Sequence, residues 1–275
     1  MIIQKLKGRI GNQLFQIAYA YIVSKRYKQN ILVIPVSKDG FQLDAFKTPI
    51  FLNFLNPKLI LIIHRIIFKL LSNVTELRND SCFIKHNIPS INFTNLLIEG
   101  YFQDAEIYLP YKYEFQNLFR LKKKYRIYFE NKYSHLFSRK VLVLNLRLKE
   151  YPNFHFIEIN STPFISNSWY ENVLLGIDRE LYDDIIVISD DIEASKDFLG
   201  GLPFDFRFID DFWYVDFQFL LYGDILIIPN SSFSWWGAFL NNKQRKIVYA
   251  PKYWVGNNVN REYPKGIMFS DFNWV

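Results

Sequence analysis

The carboxyl-terminal half of the chain alternates short apolar runs with helical patterns, and that alternation restricts the fold more than any other feature. Val141–Leu146, 185–189, 206–209, 225–229 and Ile247–Ala250 each read as a buried strand. Between them lie helical segments. Ser168-Trp169-Tyr170-Glu171 has the spacing of a capping box and opens a helix running to Gly176. Ile192–Leu199, 214–222 and 235–241 supply three more. Strands separated by helices need crossover connections, so the expected sheet is parallel and doubly wound.

The amino-terminal half starts in the same way. Ile2–Leu6 is a strand candidate, Gly8 and Gly11 form a tight turn, and Leu14, Phe15, Ala18, Tyr21, Ile22 and Lys25 follow at helical spacing. Ile31–Pro35 and 96–101 read as further strands, and 104–121 as helical. Residues 57–71 read as a helix of isoleucine and leucine interrupted by His64, Arg65 and Lys69. Residues 41–56 are turn-like and 72–95 show little period. The change in charge density near 138 divides the chain into expected domains 1–138 and 139–275.

In a doubly wound sheet, ligands bind beyond the carboxyl ends of the strands. The polar residues expected there form a coherent set. The first strand of the second half delivers Asn145, Arg147, Glu150 and Tyr151, and the next delivers Ser189, Asp190 and Asp191. After 225–229 comes Asn230-Ser231-Ser232-Phe233-Ser234, and Pro251-Lys252-Tyr253-Trp254 follows the last strand. A serine-rich turn entering a helix offers backbone N–H groups and the positive end of a helix dipole. Arginine forks onto phosphate oxygens. A carboxylate accepts from a nucleobase or from ribose hydroxyls. The set suits a nucleoside diphosphate. Each member also has a purely structural reading: Asp190, Asp191 and the serines as helix caps, Arg147 as half of a salt bridge, Glu150 as a surface acid.

Several classes are disfavoured. Half of the residues are apolar and 19% aromatic, which supports a large core rather than disorder. Cys82 is the single cysteine, so no internal disulfide framework exists and a reducing compartment is expected. Met1-Ile2-Ile3-Gln4-Lys5 lacks the apolar region of a signal peptide, and no run reaches the ~20 apolar residues of a spanning helix. The net charge of +6 is scattered without a nucleic-acid module, so an anionic substrate or an anionic membrane surface accounts for it better. The segment 57–71 is the candidate for membrane contact. His64, His86, His135 and His155 show no ligand spacing, and no metal site is expected.

The motifs together resemble a family. Gly8-Arg9-Ile10-Gly11-Asn12-Gln13-Leu14-Phe15-Gln16 is similar to the Gly-Gly-Leu-Gly-Asn-Gln-Met-Phe-Gln opening of the α-1,2-fucosyltransferases, glycosyltransferase family 11. Glu99-Gly100-Tyr101-Phe102-Gln103 resembles that family's Glu-Gly-Tyr-Trp-Gln, and Ser189-Asp190-Asp191, Asn230-Ser231-Ser232-Phe233-Ser234-Trp235-Trp236-Gly237-Ala238 and Ala250-Pro251 resemble its later motifs in order. The His-x-Arg-Arg-Gly-Asp-Tyr motif reads Asn145-Leu146-Arg147-Leu148-Lys149-Glu150-Tyr151 here. The first arginine and the tyrosine are kept; the histidine, the second arginine, the glycine and the aspartate are replaced.

The resemblance implies an α/β fold of GT-B type, with two Rossmann-like domains facing a central cleft: an acceptor-side domain and a donor-binding one. It implies metal-independent, inverting transfer of fucose from GDP-fucose, without a further cofactor, to a glycan hydroxyl, often galactose O2. The donor-binding set would be Gly11, Asn12, Gln13, Asn145, Arg147, Tyr151, Asp190, Asp191, Asn230, Ser231, Ser232 and Ser234. Arg147 would act on the leaving diphosphate, with Glu150 as candidate base. A different nucleotide sugar, or a non-catalytic sugar-nucleotide or glycan-binding role, is the alternative raised by Asn145 and Leu148. The expected setting is the cytoplasm, at the inner face of a membrane carrying a lipid-linked acceptor for surface polysaccharide. No nucleic-acid partner is expected.

Overall fold

The computed structural model describes residues 1–35, 42–47, 74–79 and 92–275. The helix expected over 57–71, with its membrane contact, lies outside them. The chain divides into two compact units, Met1–Arg120 and Leu121–Val275. The division falls ahead of the boundary expected near 138, because the helix Lys123–Tyr133 packs with the second unit. Tyr128, Lys132 and Tyr133 all bond Asp211, and Gln218 donates to the carbonyl of Tyr125. Among the described residues no helix is long and apolar enough to cross a membrane.

The first unit is built from β1 (Ile2–Leu6), α1 (Ile10–Tyr27), β2 (Ile31–Pro35), β3 (Val74–Asn79), β4 (Asn95–Gly100) and two short helices, α2 (Ala105–Tyr108) and α3 (Lys112–Leu118). Its sheet is parallel, in the order β2-β1-β4-β3. β1 is central: Ile2, Ile3, Gln4 and Leu6 are all buried. β3 falls where the sequence shows little period. Among the described residues β3 pairs on one side only, and an edge strand tolerates the charged residues of its sequence Val-Thr-Glu-Leu-Arg-Asn. The helix expected over 104–121 is broken into α2, a 3₁₀ turn at Leu109–Tyr111 and α3, with Pro110 in the turn. Tyr19 of α1 stacks at 3.9 Å on Phe102, just past β4, and Tyr21 of α1 meets Phe115 of α3 edge-on at 5.8 Å, so aromatic rings tie α1 to the end of the sheet and α3 to α1.

The second unit contains α4 (Lys123–Tyr133), β5 (Val141–Leu146), α5 (Asn167–Leu175), β6 (Asp184–Ser189), α6 (Ile192–Leu199), β7 (Phe206–Phe208), α7 (Trp213–Tyr222), β8 (Ile225–Ile227), α8 (Ser232–Leu240), β9 (Ile247–Ala250) and β10 (Asn273–Trp274). Its sheet is parallel in the order β10-β9-β8-β5-β6-β7. All six residues of β5 are buried, as a strand covered on both faces requires. Each fully buried aliphatic side chain there contributes about 1.5–3 kcal/mol. α5 starts earlier than expected: Ser166 occupies the cap position, so Ser168 lies within the first turn and no capping box forms.

Strand order decides where the second unit can hold a ligand. From β5 the chain winds to one side through β6 and β7, then returns to the other side of β5 with β8 and β9. The winding reverses between β5 and β8, which pair from Leu142↔Ile225 to Leu144↔Ile227. In doubly wound sheets such a reversal is where ligands bind, beyond the carboxyl ends of the two strands.

Candidate functional site

β5 ends in Leu146 and hands over to Arg147. Asp190, just past β6, shapes the loop: its Oδ1 accepts from the backbone N–H of Leu148 at 2.8 Å and of Lys149 at 3.3 Å. Its Oδ2 lies 3.3 Å from an Arg147 guanidinium nitrogen. Tyr151 completes the mount, with its ring 5.5 Å below the Arg147 guanidinium and its hydroxyl donating to the carbonyl of Asn230. Arg147 Nε is buried without a hydrogen-bond partner. A buried unpaired donor of a permanent cation is costly, and an anionic ligand would relieve it. Glu150 is half-exposed with its carboxylate 3.7 Å from Arg147, in the position of a partner to the arginine.

The turn after β8 lies on the other side of the seam. α8 begins at Ser232, earlier than the expected 235, so two of the three serines of the turn lie in its first turn. Ser231 is the cap residue and its side chain makes no capping bond. The first-turn N–H groups of Ser232, Phe233 and Ser234 have no carbonyl in their own helix, and the first turn carries no acidic residue. That end of the helix is suited to an anion. Asn230 holds the turn in place: its Nδ2 donates to the carbonyls of Pro163 at 2.7 Å and Trp254 at 3.4 Å. Its Oδ1 is buried without a partner.

The serines and carboxylates expected to bind a donor differ in what they do. Ser234 is buried and its hydroxyl donates to Oδ1 of Asn145, while Nδ2 of Asn145 donates to the carbonyl of Ile188 at 3.1 Å. The Ser234 hydroxyl gives its one proton to this contact, so it presents no free donor to a ligand. Asp191 accepts from the N–H of Ala194 at 3.0 Å and caps α6. Asp190 is the arginine's mount. Arg147, Tyr151, Asn230, Ser231 and Ser232 are therefore the expected residues gathered at the seam, with Ser231 nearly and Ser232 partly buried.

Sequence reasoning missed Asp216. It stands on α7 between the buried Val215 and Phe217, with Oδ1 buried and unpartnered. Burial pushes its carboxyl well above the usual range, and the charges of Asp211, Asp210 and Asp190 add to the shift. A single acid in a helix that is apolar and aromatic apart from Gln218 was the available signal.

Gly11, Asn12 and Gln13 belong to the first unit, beyond the carboxyl end of β1. Gly8 has φ +69°, and a Cβ there would stand 2.6 Å from Nδ2 of Asn12. Gln13 is buried and serves the loop, donating to the Gly8 carbonyl at 2.9 Å and accepting from the N–H of Gln42 at 3.0 Å. Oδ1 of Asn12 accepts from Gln103 at 2.9 Å. Glu99, at the end of β4, bridges Lys5 at 2.8 Å and Lys7. Hydrogen bonds from these two lysines hold its carboxyl down at about 2. Among the described residues no group of three or more metal-ligating side chains is gathered.

No protein-family model matches the chain. The O-antigen biosynthesis glycosyltransferase WbnK of Escherichia coli is 25% identical over 295 aligned positions, covering 93% of this chain and 96% of its own. An α-1,2-colitosyltransferase of the same organism is 37% identical over 82 positions, 28% of each chain. Among solved structures, the α-1,6-fucosyltransferase NodZ, known from Bradyrhizobium and soaked with GDP-fucose, aligns at TM-score 0.51 and 12% identity, covering 87% of this chain and 91% of its own. The fold is that of the GT-B fucosyltransferases, α/β with parallel sheets in both units.

Proposed function

We propose that the protein is an inverting glycosyltransferase that takes fucose from GDP-fucose and passes it to a hydroxyl of a glycan, as an α-1,2-fucosyltransferase of surface polysaccharide synthesis. The observation that carries this reading is the mounted, partly unpaired Arg147 at the same strand seam as the uncapped start of α8. Substitution at the anomeric carbon leaves negative charge on the departing diphosphate. Arg147 and the N–H groups of Ser232, Phe233 and Ser234 are a fixed positive surface for that charge. With those groups the leaving group needs no metal ion, and the donor needs no further cofactor. Asp216, whose Oδ1 is buried without a partner, is the acceptor we assign to N–H donors of the base, which suits guanine. The relationship to an O-antigen glycosyltransferase supports a glycan acceptor, and a lipid-linked one at the inner membrane face is the setting we favour.

Calorimetric titration with GDP, UDP, CDP and dTDP, followed by donor consumption with a panel of glycan acceptors in excess chelator, tests the reading. GDP should bind tightest and GDP-fucose should be consumed with chelator present. Binding of another diphosphate in place of GDP would remove the fucose assignment. Binding without turnover on any acceptor would leave a sugar-nucleotide-binding protein.

The local 37% identity to a colitosyltransferase favours a second reading, transfer of a colitosyl group at the same site. Competition between the two sugar nucleotides decides between them.

A further inference from the structure

Asn145 lies one residue before the end of β5 and is almost fully buried, although its side chain is polar. Its amide is bonded at both ends, through Nδ2 and through Oδ1, and this fixes its orientation. The Ile188 carbonyl on β6 can only accept, so Nδ2 must face it, and Oδ1 is left to face Ser234. Ser234 must then donate, and a hydroxyl has one proton to give. The hydroxyl of the last serine of the expected phosphate turn is therefore not a phosphate donor. It is a strut between α8 and the central strand.

The strut is attached where it matters for an anion. Ser234 is the third residue of α8, and its own N–H is one of the three first-turn donors without an intrahelical carbonyl. Asn145 pairs in register with Ile188 across β5 and β6, so the anchor itself is bonded into the sheet. The chain of contacts runs from the β6 backbone through Asn145 and Ser234 to the anion-facing end of the helix.

We propose that Asn145 is a positioning residue for the diphosphate: through Ser234 it fixes the first turn of α8 so that the N–H groups of Ser232, Phe233 and Ser234 converge on one anion. This rests on the reading of the β5–β8 seam as a nucleoside diphosphate site. Asn145 touches neither donor nor acceptor in this role. Its effect is confined to the phosphate end and leaves recognition of the nucleoside alone.

The experiment uses the full chain. Guanosine and GDP are titrated into wild type, Asn145→Ala, Ser234→Ala, the double variant and Asn145→His, with thermal melts to confirm that each is folded. A neutral imidazole offers one donor and one acceptor, as the asparagine amide does here, so Asn145→His is the conservative variant. Each alanine variant should bind GDP about tenfold more weakly and guanosine as wild type does. The double variant should lose no more than either single, because both break one contact. Asn145→His should recover most of the loss. Should Asn145→Ala prove too unstable, Ser234→Ala removes the same contact from the other side and carries the test. Unchanged GDP affinity in the alanine variants, equal losses for guanosine and GDP, or additive losses in the double variant would each overturn the proposal. Wild type that binds no GDP would instead remove the site reading on which it rests.

Discussion

The hydroxyl of Tyr151 donates to the backbone carbonyl of Asn230 at 3.2 Å, and the same ring carries the Arg147 guanidinium. One side chain thus couples the loop after β5 to the turn after β8. The arginine is fixed relative to that turn, held by Tyr151 on one side and Asp190 on another.

Arg147→Ala should weaken GDP binding by about tenfold to a hundredfold, the size of one charge-assisted contact at about 1.5–3 kcal/mol. Arg147→Lys should recover part of it, since the charge remains and the planar fork does not. Calorimetry on folded variants reads both. Unchanged affinity in Arg147→Ala would place the diphosphate elsewhere.

Asp216 lowers stability at neutral pH. Its folded-state pKa is raised, so the folded protein binds a proton that the unfolded chain releases near ~4, and stability falls as pH rises above that value toward the folded pKa. Asp216→Asn should flatten this slope and raise stability at pH 7 by about 1 kcal/mol, measured as denaturant midpoints across pH. A base N–H selects the ionised carboxylate, so GDP affinity in wild type should climb over the same interval and in Asp216→Asn should not. A flat profile in wild type would dissociate Asp216 from the base.

Glu99 has the opposite sign. Its carboxyl is held at about 2 by Lys5 and Lys7, so its contribution is present above the unfolded value near ~4.3 and is lost as pH falls toward 2. Glu99→Gln should cost about 1 kcal/mol at pH 7 and converge with wild type in acid. Parallel pH–stability curves for the two proteins would show that the bridge contributes nothing.

Gly237 is a packing requirement of the tryptophan motif. A Cβ there would stand 2.5 Å from Cβ of Leu220, where α8 crosses α7. Gly237→Ala should destabilise by about 1–3 kcal/mol through overpacking, despite the better helix propensity of alanine. A variant that melts at or above the wild-type temperature would show that the helices separate freely.

Much of this architecture could be read from residues. β5, β6 and β8 declare themselves because strands covered on both faces are nearly uninterrupted Val, Ile and Leu. β3 does not, because an edge strand tolerates Glu76 and Arg78. The strand order is a set of non-local pairings that leaves no local trace, so the special relation of β5 to β8 appears only in the fold. The same holds for roles within the site. Asn145 and Ser234 are polar residues at strand end and helix start, as ligand-binding residues are, and their consumption by each other depends on a contact between residues distant in sequence. Asp191 as a cap was one of two readings that the sequence allowed, and its bond to Ala194 decides for it. Asp216 was hidden inside a pattern read for its apolar residues alone.

The seam between β5 and β8 also has a history in time. Val141 at the start of β5 donates its N–H to Asp224, 83 residues further along the chain, and β6 and β7 come between them. During synthesis β5 must wait for that whole stretch before its second neighbour exists, and so non-local a pairing forms slowly. The crevice is therefore assembled late. A nascent chain that has already paired β5 with β6 presents an open strand edge, and it acquires affinity for an anion only when β8 and the helix behind it arrive. A ligand held at that seam bridges β5 to a turn made much later in the chain, and its stabilisation falls on the step that joins β8 to β5.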